Sequence, residues 1–182
     1  TGHLLKALGR RAATAGNIGT PISELALMAA PPEWVALEVS SFQLHDSPSI
    51  NPRVGVLTNL SANHLDRYDS VKAYYHDKAL LFQNASPVSQ WVTNADEPDV
   101  QAMVEGVAGI QCRFSVRARS DAYLDRSSGE LIVLGYPIVR RDELPLIGDH
   151  NVANALAASL AVMLADRDHR SPRGLRTIGE AL

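Results

Sequence analysis

Apolar positions along the chain follow two rhythms. Trp34-Val35-Ala36-Leu37-Glu38-Val39 and Arg53-Val54-Gly55-Val56-Leu57-Thr58 are short, nearly continuous apolar runs bounded by Pro and Asn. Buried parallel strands read this way, because both of their faces are covered. Residues 12–15 and 90–93 read as two further strands. Between them the spacing becomes helical. Residues 2–8 predict a helix stopped by Gly9, and Thr20 with Pro21 predicts the cap and first position of a helix over 21–30, ended by Pro31-Pro32. Residues 70–84 predict a helix with Val71, Tyr74, Tyr75, Lys78, Leu81 and Phe82 on one side. A helix over 151–165 carries Val152, Leu156, Ser159, Leu160, Met163 and Leu164, and Ser171-Pro172 opens a last one.

Strand and helix alternate through residue 110, which predicts an α/β fold with a mostly parallel sheet flanked by helices. Residues 110–116, 122–124, 130–134 and 137–139 differ: the turns at Ser127-Ser128-Gly129-Glu130 and Gly135-Tyr136 predict a small appended antiparallel β portion. Repeats, low-complexity segments and linkers are absent, so residues 1–182 read as one domain. The first helix lacks its beginning, the last simply stops, and no initiator Met is present. The chain reads as a piece cut from something longer, with an exposed sheet edge where a strand is missing.

Composition then narrows the function. With 46% apolar and 20% charged residues the chain can bury a sizeable core. A net charge of −3 supplies no basic field, so no nucleic-acid or membrane-surface partner is expected. The one cysteine, Cys112, excludes an internal disulfide and fits a reducing compartment, and no run approaches the ~18–20 apolar residues of a membrane span. A cytoplasmic protein is expected.

Ligands of parallel α/β sheets bind beyond the carboxyl ends of the strands. Polar residues follow four successive predicted strands: Asn17; Glu38 with Ser40 and Ser41; Thr58-Asn59 leading to His64 and Asp66; and Asn94 with Asp96. One rim would gather them all. Glu38 sits within an apolar strand, where an unpaired carboxylate is costly; a divalent cation would offset that cost, and so would backbone amides or an Arg. His64 sharing that rim becomes a candidate metal ligand. Lys78, one of three lysines, lies on the apolar side of its helix. It either snorkels or is desolvated enough for its neutral amine to take up carbon dioxide as a carbamate, a new oxygen ligand. Asn151 and Asn154 stand at i and i+3 at a helix start and suit an adenine edge, although Asp149 or Asn151 is equally readable as a simple cap. No G-x-x-x-x-G-K-[ST] phosphate loop, G-x-S-x-G elbow or H-E-x-x-H helix occurs.

Seven motifs in order carry a family resemblance: Gly16-Asn17-Ile18-Gly19, Glu38-Val39-Ser40-Ser41-Phe42-Gln43-Leu44, Thr58-Asn59-Leu60, His64-Leu65-Asp66-Arg67-Tyr68, Tyr75 through Lys78, Asn94-Ala95-Asp96, and His150-Asn151-Val152-Ala153-Asn154. The chain resembles the central ATP-binding domain of the Mur ligases, and its Glu-Val-Ser-Ser-Phe-Gln run is similar to that of the D-glutamate-adding branch. The resemblance implies a phosphate-loop-type fold whose loop lies outside this chain. It implies a monomeric ligase of peptidoglycan precursor synthesis, which uses ATP and Mg2+ to join D-glutamate to UDP-N-acetylmuramoyl-L-alanine through an acyl phosphate. Glu38, His64 and carbamylated Lys78 are then implied metal ligands and catalytic residues, Asn17, Ser40 and Gln43 neighbours of the muramoyl substrate, and Asn151 and Asn154 neighbours of adenine. Asn63 departs from the Asp usual before the histidine, removing a negative charge beside the metal. The resemblance covers the central domain only, without the amino-terminal uridine-nucleotide domain or the carboxyl-terminal domain, so these residues alone are expected to be inactive. A non-catalytic remnant that keeps the fold as an interaction module is the alternative. A small metallohydrolase built on Glu38, His64 and Lys78 is a third reading.

Overall fold

The computed structural model describes residues 1–61 and 68–182. Two ladders make up its β-structure. In the first, β1 (Ala12–Gly16) and β2 (Trp34–Glu38) pair in parallel from Ala12↔Trp34 to Gly16↔Glu38. In the second, β3 (Gly55–Leu57), β4 (Gln90–Asn94), β5 (Ile110–Ser115), β6 (Ala122–Asp125), β7 (Glu130–Val133) and β8 (Tyr136–Arg140) stand side by side in chain order. The pairs β3–β4, β4–β5 and β5–β6 are parallel, and only β7 and β8 add in the antiparallel sense.

The expected mostly parallel α/β sheet with an antiparallel appendage is present, but the appendage begins later than the turn signals predicted. Ile110–Ser115 is a parallel strand, hydrogen-bonded to β4 from Gln90↔Ile110 to Asn94↔Phe114. The reason β6 also joins in parallel lies in its approach. The Asp121 carboxylate accepts from the Arg113 amide at 2.8 Å and Ser120 Oγ donates to the Arg113 carbonyl at 3.0 Å, folding the connection back beside β5.

The helices are α1 (Gly2–Ala7), α2 (Ile22–Ala26), α3 (Ser41–His45), α4 (Val71–Ala79), α5 (Pro98–Met103), α6 (Asp149–Ala165) and α7 (Pro172–Glu180). The expected ten-residue helix after Thr20 is five residues long, and Thr20 does not cap it. Pro21 is the N-cap, and Thr20 instead bridges to Ala15, its carbonyl accepting from the Gly16 amide at 3.0 Å. Leu27 and Met28 are exposed, so an extension would bury no apolar face to offset its ordering cost. The helix predicted over 70–84 begins after Ser70, which is its N-cap, and it tightens after Ala79 into a 3-10 turn, Leu80–Phe82.

Side chains of adjacent β4 residues divide the core in two, as strand pleating requires. Val92 joins Phe114, Leu131 and Val133 beneath α6, whose Val152, Leu156, Leu160 and Met163 are wholly buried, with Leu4 and Leu5 of α1 and Ile178 of α7 closing the cluster. Leu164, expected on the same side of α6, is only half-buried. Trp91 joins the second cluster with Leu57, Phe82, Val100 and Val104, its ring meeting Phe82 edge-on at 4.8 Å. Between the two ladders β2 and β3 share no hydrogen bonds. A cavity of about 610 Å3 lies there, lined by Ala36, Leu37, Val54, Val56, Leu81 and Val162 among others. The continuous rim expected across four successive strands is therefore interrupted after β2. Among the described residues no helix is long and apolar enough to cross a membrane.

Candidate functional site

The polar residues that converge do so at the carboxyl end of β2. Gly16, paired with Glu38, ends β1 in a left-handed conformation (φ +115°), and the following amide of Asn17 donates to the Glu38 carbonyl at 2.9 Å. The Asn17 side chain reaches the same residue, Nδ2 to Oε1 at 3.4 Å. Glu38 is exposed, not buried as its apolar context predicted, because the strand meets the cavity and solvent instead of a covering layer. Its carboxylate needs no cation to offset burial and is open to accept one.

Two residues on, the chain turns into α3, an element the apolar pattern missed because five residues are too few to show a period. Ser40 is its N-cap: Oγ accepts from the Gln43 amide at 3.2 Å, while Gln43 Oε1 accepts from the Ser40 amide at 3.0 Å. The motif Ser-Ser-Phe-Gln is thus a capping box, and its S-x-x-Q spacing was the signal that could have found the helix. The same bonds hold Ser40 and Gln43 in fixed geometry just beyond Glu38.

Lys78 comes to this place from α4. It lines the same cavity as Glu38, with Nζ 5.8 Å from the centre of the Tyr74 ring. Half-burial pulls its ammonium below the ordinary lysine range, and the Glu38 carboxylate pulls the other way. Lys78 is thus partly desolvated, and it lines the same cavity as an open carboxylate. As an ammonium it would repel a cation; as a carbamate it would join Glu38 in an oxygen donor set suited to Mg2+. Among the described residues no cluster of three or more His, Cys, Asp or Glu side chains forms a metal cage. His64 and Asp66, the other rim residues, lie outside the described residues, as does Asn63.

The remaining rim residues are engaged otherwise. Asn94 is buried and its Oδ1 accepts from the Asp96 amide at 3.0 Å, while Asp96 accepts from Ser115 Oγ at 2.6 Å and the Val116 amide at 2.7 Å. These bonds lock β4 to β5. Asn151 and Asn154 lie in the first turns of α6 and do not line the cavity of Glu38 and Lys78. Neither Asp149 nor Asn151 caps that helix, since Gly148 is the N-cap without a side-chain bond; Asn151 Nδ2 donates to the Ile147 carbonyl at 2.8 Å and Asn154 is exposed. A residue the sequence reading passed over is Asp77, buried beside Lys78 and holding His45 Nδ1 and Tyr68 Oη at 3.2 and 3.0 Å. Its position three residues after Tyr74, on the same helix side, was the available signal.

Comparison with known proteins gives this arrangement a family. Residues 1–162 match the Mur ligase middle domain. The chain is 31% identical over 169 residues to the UDP-N-acetylmuramoylalanine-D-glutamate ligase of Solibacter usitatus, a match covering 93% of this chain and 38% of that protein. It is 35% identical over 163 residues to the ligase of the same name from Geobacillus kaustophilus, covering 90% and 36%. The chain thus spans well under half the length of these relatives. Among solved structures, the MurF ligase from Thermotoga maritima in complex with ADP superposes with a TM-score of 0.67 at 19% identity, over 89% of this chain and 41% of that one, a likeness of fold. By the family match across most of its length, on a sheet and helix arrangement of the same kind, the chain belongs to the Mur ligase family through its middle domain.

Proposed function

We propose that these residues are the central domain of a longer ATP-dependent ligase that joins D-glutamate to UDP-N-acetylmuramoyl-L-alanine. ATP transfers its γ-phosphoryl group to the alanyl carboxylate, releasing ADP. The D-glutamate amine then attacks the acyl phosphate, the new C–N bond forms, phosphate leaves, and the amine loses a proton. The relatives named for this reaction support the substrates, and the ADP held by the T. maritima neighbour supports the nucleotide.

The observation that carries the reading is the half-buried Lys78 and the open Glu38 carboxylate lining one cavity. A neutral Lys78 amine takes up carbon dioxide and releases a proton, leaving a carbamate whose oxygens, with Glu38 and His64, would hold Mg2+. Bound there, the ion would neutralise charge that develops on the transferred phosphoryl group. Asn17, Ser40 and Gln43 surround Glu38 and are assigned to the muramoyl substrate, and Asn151 and Asn154 to the adenine edge. The cavity between the open edges of β2 and β3 is read as the seat of a further strand from the rest of the ligase, bringing the phosphate loop to the mouth of the site.

The test is phosphate release by the complete polypeptide, with ATP, UDP-N-acetylmuramoyl-L-alanine and D-glutamate each omitted in turn. The expected result is release only with all three, and none from residues 1–182 alone. Activity that persists without D-glutamate or without ATP would overturn the reading.

A further inference from the structure

We propose that Asp77 is a positioning residue, whose carboxylate sets the rotation of α4 and thereby where Lys78 stands relative to Glu38. The role of Lys78 in this statement rests on the ligase reading above.

The Asp77 side chain is only 12% exposed, and both of its oxygens are used. Oδ1 accepts from His45 Nδ1 at 3.2 Å, and Oδ2 from the Tyr68 hydroxyl at 3.0 Å. Without such donors a carboxylate this deep would be costly, so the two bonds fix the side chain. The donors come from two separate segments. His45 ends α3, and Tyr68 is the first described residue after 62–67, the stretch that carries His64. Tyr68 is wedged in place by stacking on Phe42 of α3 at 5.1 Å and meeting Tyr74 of α4 edge-on at 5.3 Å.

Of the nine residues of α4, Tyr74 and Asp77 are the buried ones, while Tyr75 packs at the edge of the Trp91 cluster and its hydroxyl donates to Asp99 at 3.4 Å. Successive helical residues point about 100° apart. Pinning Asp77 to α3 therefore turns the adjacent Lys78 toward the cavity it shares with Glu38. α3 itself starts three residues after Glu38, through the Ser40–Gln43 box. One carboxylate thus links the helix bearing Lys78, the helix following Glu38 and the end of the His64 stretch. A shift of about 1 Å in such a group costs on the order of a hundredfold in rate.

Two variants of the complete polypeptide test this. Asp77→Leu removes both acceptors at similar size. Asp77→Asn keeps both bonds, since Oδ1 can accept from Tyr68 while Nδ2 donates to the other tautomer of His45. We expect Asp77→Leu to lower kcat by about tenfold to a hundredfold with KM for ATP within about twofold, and Asp77→Asn to restore most of the rate. A second readout needs no activity: reductive methylation, followed at the Lys78 peptide by mass spectrometry. The half-buried setting of Lys78 gives it a labelling rate relative to the exposed Lys6 and Lys72 that Asp77→Leu should change several-fold while Asp77→Asn keeps it. Should Asp77→Leu fail to fold, Tyr68→Phe and His45→Leu, each deleting one donor, must show the same changes in part. Unchanged Lys78 labelling in folded variants that lose these bonds overturns the proposal. A labelling change without a fall in kcat overturns its catalytic half. If the wild-type polypeptide forms no amide but Lys78 labelling still responds to Asp77, the ligase reading fails and the positioning role stands.

Discussion

Gly16 offers the sharpest link between one residue and the candidate site. Its backbone sits at φ +115°, and a Cβ there would lie 2.0 Å from the Glu38 carbonyl oxygen and 3.0 Å from the carbonyl carbon. Both are backbone atoms of the paired strand and cannot rotate away. Adopting that conformation with a side chain costs about 1–3 kcal/mol. Restoring ordinary contact separates the strand ends by about 1 Å or more, which breaks the 2.9 Å bond from the Asn17 amide to Glu38, worth about 1 kcal/mol. Gly16→Ala should therefore cost about 2–4 kcal/mol in all, a large share of the roughly 5–15 kcal/mol that holds a domain folded. Gly129→Ala is the internal control. Gly129 also has positive φ, +74°, but nothing lies within 4 Å of its Cβ position, so only the left-handed strain of about 1–2 kcal/mol applies. Urea unfolding followed by tryptophan fluorescence gives both costs from midpoint and slope. A Gly16→Ala protein losing no more than Gly129→Ala would refute the close approach of β1 and β2 at this point, and with it the placement of Asn17 against Glu38.

Other expectations follow from single groups. Ser159 Oγ is buried in α6 with no hydrogen-bond partner among the described residues, so Ser159→Ala should stabilise the fold by about 1 kcal/mol in thermal unfolding; a loss of that size would mean the hydroxyl is satisfied. The Asp168 amide, and beyond it the Arg10 guanidinium at 2.7 Å, hold the Asp166 carboxyl below its usual range. Its contribution is complete above the unfolded carboxylate value near ~3.9 and is lost as pH falls through the lowered native value. Asp166→Asn should accordingly be less stable at neutral pH and flatten the acid limb of a stability profile taken from pH 7 downward; a parallel limb would remove the assignment. Burial lowers the Lys78 ammonium below the ordinary lysine range, so its amine is neutral at lower pH than that of an ordinary lysine. Carbon-13 NMR under labelled carbon dioxide should therefore show a Lys78 carbamate at a pH where the exposed Lys6 and Lys72 give none, and Lys78→Arg should abolish the signal.

Much of the fold was legible because its parallel strands are short, nearly continuous apolar runs, even where, as in β2, one face is left open. The runs at 34–39, 53–58 and 90–93 stand within a residue or two of β2, β3 and β4. What misled was turn chemistry read without tertiary context. Glycine and serine turns mark β7 and β8 correctly as antiparallel, but nothing local announces that Asp121 and Ser120 fold the preceding connection against Arg113 and bring β6 alongside β5 in parallel. The short helices failed for a related reason. α2 and α3 have five residues each, too few for periodicity, so their only marks are caps, and Thr20 looked like a cap yet was drawn into the ladder at Ala15.

The site was legible in its members and misjudged in its setting. Glu38 was singled out because a carboxylate in an apolar strand demands an explanation, yet its strand borders a cavity, and the carboxylate is exposed. Burial was instead the property of its partners: Lys78, desolvated on α4, and Asp77, whose two donors arrive from residues 32 and 9 positions away in sequence. No spacing rule reaches across such separations. A binding rim in a parallel sheet needs the strand ends aligned by hydrogen bonding, and here β2 and β3 are not bonded to each other. What spans that break is side chain and helix: Asp77 ties α4 to α3, and α3 is capped directly onto the end of β2. The alignment of Glu38 with Lys78 therefore depends on a few polar bonds among α3, α4 and Tyr68, and it is these bonds, rather than the sheet, that substitutions should be aimed at to move the two groups apart.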